Sequence, residues 1–370
     1  MRKLFLITSA SLICQSIFAQ GWAPVGSGFD GQVSALITFK GNVFAGGAFG
    51  SSGSTQTGKI AKWNGTAWTV QGPVINNGSV NAFAEFNGEL YAAGNFVSGD
   101  INRIARWDGV SWQKLGKGIN GDVFALAVYN NELYAAGSFS VAGGKPAKGI
   151  AKWNGLEWAA LGDGTDKSIR ALVVYNNELY VAGQFILAGW KEANHVAKWD
   201  GKSWTEPGSG TNGEVYTLAV YNGALYAGGF FTSAGGAPAN NIAKWDGSAW
   251  HSLGSGTGGS IPSVNALTVY DGALYIGGSF DAAGGDAAQK IALWNGTEWK
   301  SVANGMNNEV NILAVCNGTL YAGGSFTASG GKQVNHIALW TNAVAAAKPL
   351  AATTAKATTT TKKKTTKKRR

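Results

Sequence analysis

Hydrophobic and polar positions along this chain follow one pattern that returns every 44 to 49 residues, and its cleanest copy runs from Val215 to Gly254. An apolar run opens each copy, as in Val215 to Tyr221 or Val123 to Tyr129. Such a run predicts a strand buried on both faces. A turn pair follows, Asn222-Gly223 here and Asn87-Gly88, Asp271-Gly272 or Asn317-Gly318 elsewhere. These residues tolerate the positive φ of two-residue hairpins. A second strand follows the form Leu-Tyr-x-x-Gly-x-Phe, as in Leu133 to Phe139. After a longer segment comes a third strand, Ile242 to Trp245, and Asp246-Gly247 then turns the chain into a fourth through Trp250.

The tryptophans set the register. The first Trp of each copy is Trp63, Trp107, Trp153, Trp199, Trp245, Trp294 and Trp340, and in six copies a companion lies five residues on, from Trp68 to Trp299. The seventh copy lacks the companion, because the chain leaves the pattern after Trp340-Thr341-Asn342. Trp22, in Gly21-Trp22-Ala23-Pro24-Val25-Gly26, matches the end of the other copies, so the N-terminal strand is expected to supply the missing fourth strand. Four strands per copy, with no helical period between them, predict an all-β fold, a seven-bladed β-propeller of four-stranded blades whose ring closes where that N-terminal strand pairs with the last blade. One unit cannot bury its faces alone, whereas neighbours in a ring can. The 55 glycines serve the turns and close backbone approaches.

The doublet in Tyr226-Ala227-Gly228-Gly229, followed by an aromatic pair about a turn and then Leu-Gly, resembles the kelch-type repeat, as in the propeller domain of galactose oxidase. It is also similar to repeats of secreted bacterial propellers and fungal cortical polarity proteins. The resemblance covers residues 20–342 and implies a fold more than a function. Trp stands where kelch repeats usually carry Tyr before the turn, and Ala93, Ala136 and Ala182 replace one glycine of the doublet. The copper-radical chemistry of galactose oxidase needs a Tyr joined to Cys beside His ligands. The only cysteine within the repeats, Cys316, lies inside an apolar strand, where it reads as a buried, inert thiol.

The ends of the chain change the charge picture. Arg2 and Lys3, the apolar stretch Leu4 to Ile13 and Ser16-Ile17-Phe18-Ala19 read as a secretory signal over residues 1–19, cut after Ala19. No stretch approaches the roughly 20 apolar residues of a membrane-spanning helix. A secreted or cell-surface protein is the expectation. The formal charge of +9 comes from the ends: residues 343–370, an Ala/Thr/Lys tail expected to be disordered, carry nine basic residues and no acidic one. With these and Arg2 and Lys3 set aside, 19 basic residues face 21 acidic ones, a net −2 for the repeats. Lys362, Lys363, Lys364, Lys367, Lys368, Arg369 and Arg370 suit a polyanion or an anionic envelope; a merely solvated tail is the alternative.

Candidate chemistry is sparse. His195 and His336 share one repeat position three copies apart, too far to share a metal with ligands at roughly 2 Å, so no metal or other cofactor is expected. Gly116-Lys117-Gly118 and its counterparts precede strands and are turns, not phosphate loops. Asp163 and Asp166 lie together in one inter-copy segment, while Asp122, Glu214 and Glu309 open first strands at equivalent places. A glycosidase needs two carboxylates about 5 to 9 Å apart, so a carbohydrate-active enzyme, hydrolase or lyase, using such carboxylates near the propeller axis is the alternative. The favoured expectation is a monomeric, non-catalytic binding or scaffold protein for a glycan or protein. Function belongs in segments that vary between copies. Trp190 is the one tryptophan outside the register, in Ala188-Gly189-Trp190-Lys191-Glu192-Ala193, where other copies have Gly-Gly. Trp190, Lys191, Glu192, His195, Asp163 and Asp166 are therefore the candidate contacts.

Overall fold

The computed structural model describes residues 20–341; the segment read as a signal and the basic tail lie outside the described residues. Among the described residues no helix is long and apolar enough to cross a membrane. The copy that is plainest in sequence forms the strands Val215–Tyr221, Ala224–Gly229, Ile242–Trp245 and Trp250–Ser252, hydrogen-bonded antiparallel in that order. Asn222 and Gly223 join the first two with φ of 46° and 72°. Both values are left-handed, so the turn follows the right-handed twist of its strands.

Seven four-stranded sheets of this kind are present among the described residues, numbered here one to seven along the chain. Six are continuous in sequence. The seventh combines Val310–Cys316, Thr319–Gly324 and Ile337–Thr341 with the N-terminal strand Gly21–Pro24, and Trp22 stands opposite Trp340 in its register. The first strands of successive sheets are neighbours, and the first strand of sheet seven neighbours that of sheet one, Val33–Phe39.

Each hairpin of first and second strands slips by one residue near its open end, as between Val215 and Thr217. The slip explains the glycine doublet. A Cβ on Gly229 would overlap the carbonyl oxygen of Glu214, and all seven sheets keep glycine at this position, from Gly47 to Gly324. A Cβ on Gly228 would instead press on the Val264 side chain. Side chains yield more readily than backbone, which accounts for the alanines Ala93, Ala136 and Ala182 at the first position.

The longer segments joining second to third strands, in which the sequence pattern marks no strand, are not plain loops. Six carry short β-ribbons, such as Leu187–Ala188 paired with Lys191–Glu192 and Ser233–Ala234 paired with Ala237–Pro238. An Asx side chain from the preceding inter-sheet segment clamps most of them: Asn212 Oδ1 accepts from the N–H of Thr232 and Ser233. Asp30, Asn120, Asp166 and Asn307 make the same paired contact in their own units. Two-residue strands give too short a run for alternation to be visible in sequence.

The core lies mostly between sheets. One cluster joins Tyr221, Tyr226 and Ile242 of sheet five to Val264, Ile276 and Phe280 of sheet six. Each fully buried Ile, Val or Phe contributes about 1.5–3 kcal/mol, so the interfaces carry much of the stability. The companion tryptophans add direction. Their indole N–H groups, from Trp68 to Trp299, donate to a carbonyl of the preceding unit at 2.8–3.3 Å. Cys316 is buried, and burial raises its thiol pKa.

Candidate functional site

Trp190 occupies a turn position at which its counterparts Gly144, Gly236, Gly285 and Gly331 have φ of 78–95°. Trp190 itself has φ of 62° and is 67% exposed. A bulky side chain in the left-handed region costs about 1–2 kcal/mol relative to glycine. An indole left two-thirds exposed returns little of that through burial. Lys148, from the ribbon segment of sheet three, places its Nζ 4.3 Å from the centre of the Trp190 ring.

The segment between sheets three and four holds these two side chains together. Thr165 N–H donates to Lys148 O, and Gly189 N–H donates to Gly164 O, so Gly164-Thr165 ties one ribbon to the other. Gly164 has φ of 68°, and a Cβ there would overlap the Lys148 carbonyl. Glycine is therefore required for this approach. The result is a cleft of about 600 Å³ whose walls include Trp190, Lys148, Asp166, Ser168, Ser140 and Asn120. A small adjoining crevice adds Asp163 and Leu187 to Trp190 and Lys148. Another cleft, of about 420 Å³ between sheets six and seven, is lined by small and amide residues with Met306 and Ile291 and has no charged or aromatic wall.

Of the six candidates, Trp190, Asp163 and Asp166 thus meet at one place. Lys191 and Glu192 are exposed on the short strand beyond Trp190 and line neither space. His195 is also separate: half-buried at φ 65°, its Nδ1 lies 3.2 Å from Gly183 O. Burial lowers its pKa, with the Gly183 carbonyl opposing. His336 repeats the arrangement with Gly324 O at 3.1 Å, which marks a backbone-holding role rather than a special site. Among the described residues no group of three or more His, Cys, Asp or Glu is arranged to hold a metal ion. Lys148 was missed from the sequence because it belongs to a neighbouring unit. Only packing of sheet three on sheet four makes it part of the Trp190 environment.

Asp166 has one oxygen committed. Its Oδ1 accepts from Ile186 N and Leu187 N at 3.0 and 2.9 Å, the contact that asparagine makes in sheets three, five and seven. Asparagine cannot ionise, so the shared task is hydrogen-bond acceptance and not acid–base chemistry.

The chain matches no family model and no curated protein. Among solved structures it is similar to the computationally designed Ika8 protein, with TM-score 0.53 and 15% identity over 86% of this chain and 99% of that one. It is similar to the WD40 β-propeller domain of Doa1, with TM-score 0.57 and 13% identity over 87% of this chain and 97% of that one. It also resembles the extracellular domain of a protein described as a one-component system from B. thetaiotaomicron, with TM-score 0.59 and 10% identity over 86% of this chain and 39% of that one. At such identities the likeness concerns the fold alone, and that fold is a β-propeller of repeated four-stranded antiparallel sheets.

Proposed function

We propose that this chain is an exported, monomeric, kelch-type propeller of seven blades in one closed ring, and that it binds a glycan without catalysis in the cleft beside Trp190. The ring is supported by the pairing of Gly21–Pro24 with Ile337–Thr341 and by bonds across the seam. Asn317 Nδ2 donates to Gly41 O, and Asn335 Nδ2 to Ser27 O. The kelch assignment rests on the glycine doublet and the aromatic pair about the third turn. Export rests on residues 1–19, and the basic tail supplies a salt-sensitive hold on an anionic surface.

One observation carries the binding reading: an exposed tryptophan is kept in a backbone conformation that suits glycine, at a position that is glycine in four other units. Backbone strain that folding does not require points to a functional role. An indole face beside hydroxyl, amide and carboxylate groups suits a sugar, whose C–H face stacks while its hydroxyls bond. The seven sheets hold the cleft preformed, which lowers the ordering cost of binding. The alternative, hydrolysis or lysis by Asp163 and Asp166, is disfavoured because Asp166 serves as a ribbon clamp. The experiment is a glycan array probed with the wild-type protein and with Trp190→Gly, which restores the residue of units three, five, six and seven. The variant should fold as well or better and lose the bound glycans. A wild type that retains no glycan, or a variant with an unchanged pattern, overturns the reading.

A further inference from the structure

The residue skipped by the hairpin slip is small and polar in four sheets: Ser34, Asn81, Asn265 and Asn311. In the three consecutive sheets three, four and five it is Phe124, Arg170 and Tyr216. Their strands are direct neighbours, so this break in the repeat forms one cluster. The guanidinium carbon of Arg170 lies 4.1 Å from the centre of the Phe124 ring. The Arg170 side chain makes no hydrogen bond or ion pair with any described residue, and its Nε is buried without a partner.

The nearby carboxylate is engaged elsewhere. Glu214 Oε1 accepts from Gln184 Nε2 at 2.9 Å, and Gln184 Oε1 accepts from Ser168 Oγ at 2.7 Å. Glu214 also lies close enough to Tyr216 to add to the effect of burial in raising that phenol's pKa. The cluster therefore joins a stacked cation with free donors to a chain of hydroxyl, amide and carboxylate groups. Ser168 belongs to both this chain and the wall of the Trp190 cleft.

We propose that Arg170 binds the carboxylate of an acidic sugar, with Glu214, Gln184 and Tyr216 taking the ring hydroxyls. The inference rests on the glycan reading and narrows it to uronate-containing saccharides. A planar guanidinium matches a carboxylate through two parallel N–H···O bonds, which a lysine ammonium cannot reproduce. A partly desolvated guanidinium with no internal acceptor gains most from such a ligand.

The test compares the full chain with trigalacturonate and with its neutral counterpart, galactotriose, by calorimetry. The wild type should bind the uronate more tightly by roughly tenfold or more, the effect of a charge-assisted hydrogen bond. Arg170→Gln should bring the two affinities together while leaving the neutral sugar unaffected, and Arg170→Lys should recover only part of the difference. Equal wild-type affinities, or an unchanged preference in Arg170→Gln, overturn the proposal, as does loss of both sugars in both variants, which makes Arg170 structural. Displacement of the uronate by an acidic peptide at lower concentration also overturns it. Failure of the glycan reading looks different, since no sugar then binds, or Trp190→Gly binds both as the wild type does.

Discussion

Trp22 and Trp340 meet edge to face with ring centres 5.1 Å apart and planes at 63°, in register on two paired strands from opposite ends of the repeats. Pairs joined by a short turn, such as Trp63–Trp68 and Trp199–Trp204, have centres 5.2 and 5.0 Å apart. The noncovalent seam thus reproduces the packing of a continuous unit. It differs in its indole N–H groups: Trp22 Nε1 and Trp340 Nε1 are both buried without a partner, whereas the six counterparts of Trp22 donate to the preceding unit.

Truncating Trp22 to alanine should be among the most costly single changes, because a buried indole is lost where only noncovalent pairing holds the strand. Loss of a large buried aromatic costs about 3–5 kcal/mol. Urea unfolding of Trp22→Ala should show a correspondingly lower midpoint. A change below about 1 kcal/mol would mean the N-terminal strand is dispensable.

Tyr129, Tyr175 and Tyr221 each donate a hydroxyl hydrogen to the turn of the next sheet, at Asn177 O, Gly223 O and Gly272 O. Tyr175→Phe keeps the ring and removes this bond. The expected loss is about 1–2 kcal/mol, the usual cost of removing one partner from a half-buried hydrogen bond, read from chemical denaturation.

Asp166 tests clamp against catalyst. Asp166→Asn keeps the acceptor for Ile186 N and Leu187 N, so the melting temperature should hardly move. Asp166→Ala should lose about 1–2 kcal/mol as two N–H groups lose their acceptor. If Asp166→Asn instead abolished a sugar-releasing activity of the wild type, the clamp assignment would be incomplete.

Acid should weaken the fold through the third turns. Asp108, Asp200 and Asp246 each accept two backbone N–H groups, from Ser111 and Val110, Ser203 and Lys202, and Ala249 and Ser248. Those bonds hold all three carboxyls below their ordinary value of 3.8. Because the folded pKa is the lower one, their contribution is complete above the ordinary value and fades as pH falls below it. Asn64, Asn154 and Asn295 fill the same place without titrating. The triple variant to asparagine should therefore lose less stability than wild type between about pH 4 and 2, measured by urea midpoints.

Much of this was legible along the chain because a repeat states its rules seven times. The spacing of Trp63, Trp107 and Trp153 marks the third strands, Asn222-Gly223 marks a hairpin turn, and the stray Trp22 marks a strand in search of a sheet. Trp190 was visible as a departure from Gly-Gly. The ribbons were not, since two-residue strands carry no readable alternation and depend on Asx clamps such as Asn212 that lie 20 residues away.

The sequence by itself determined the strand content, the unit length and the odd residue in unit four, because these follow from local turn chemistry and from periodic burial. Only the tertiary structure decided that Lys148 stands over Trp190, that Asp166 is a clamp, and that Phe124, Arg170 and Tyr216 form one cluster. Those contacts join side chains from different units or segments. Which of them touch depends on how sheets stack through side chains, and no local pattern encodes that.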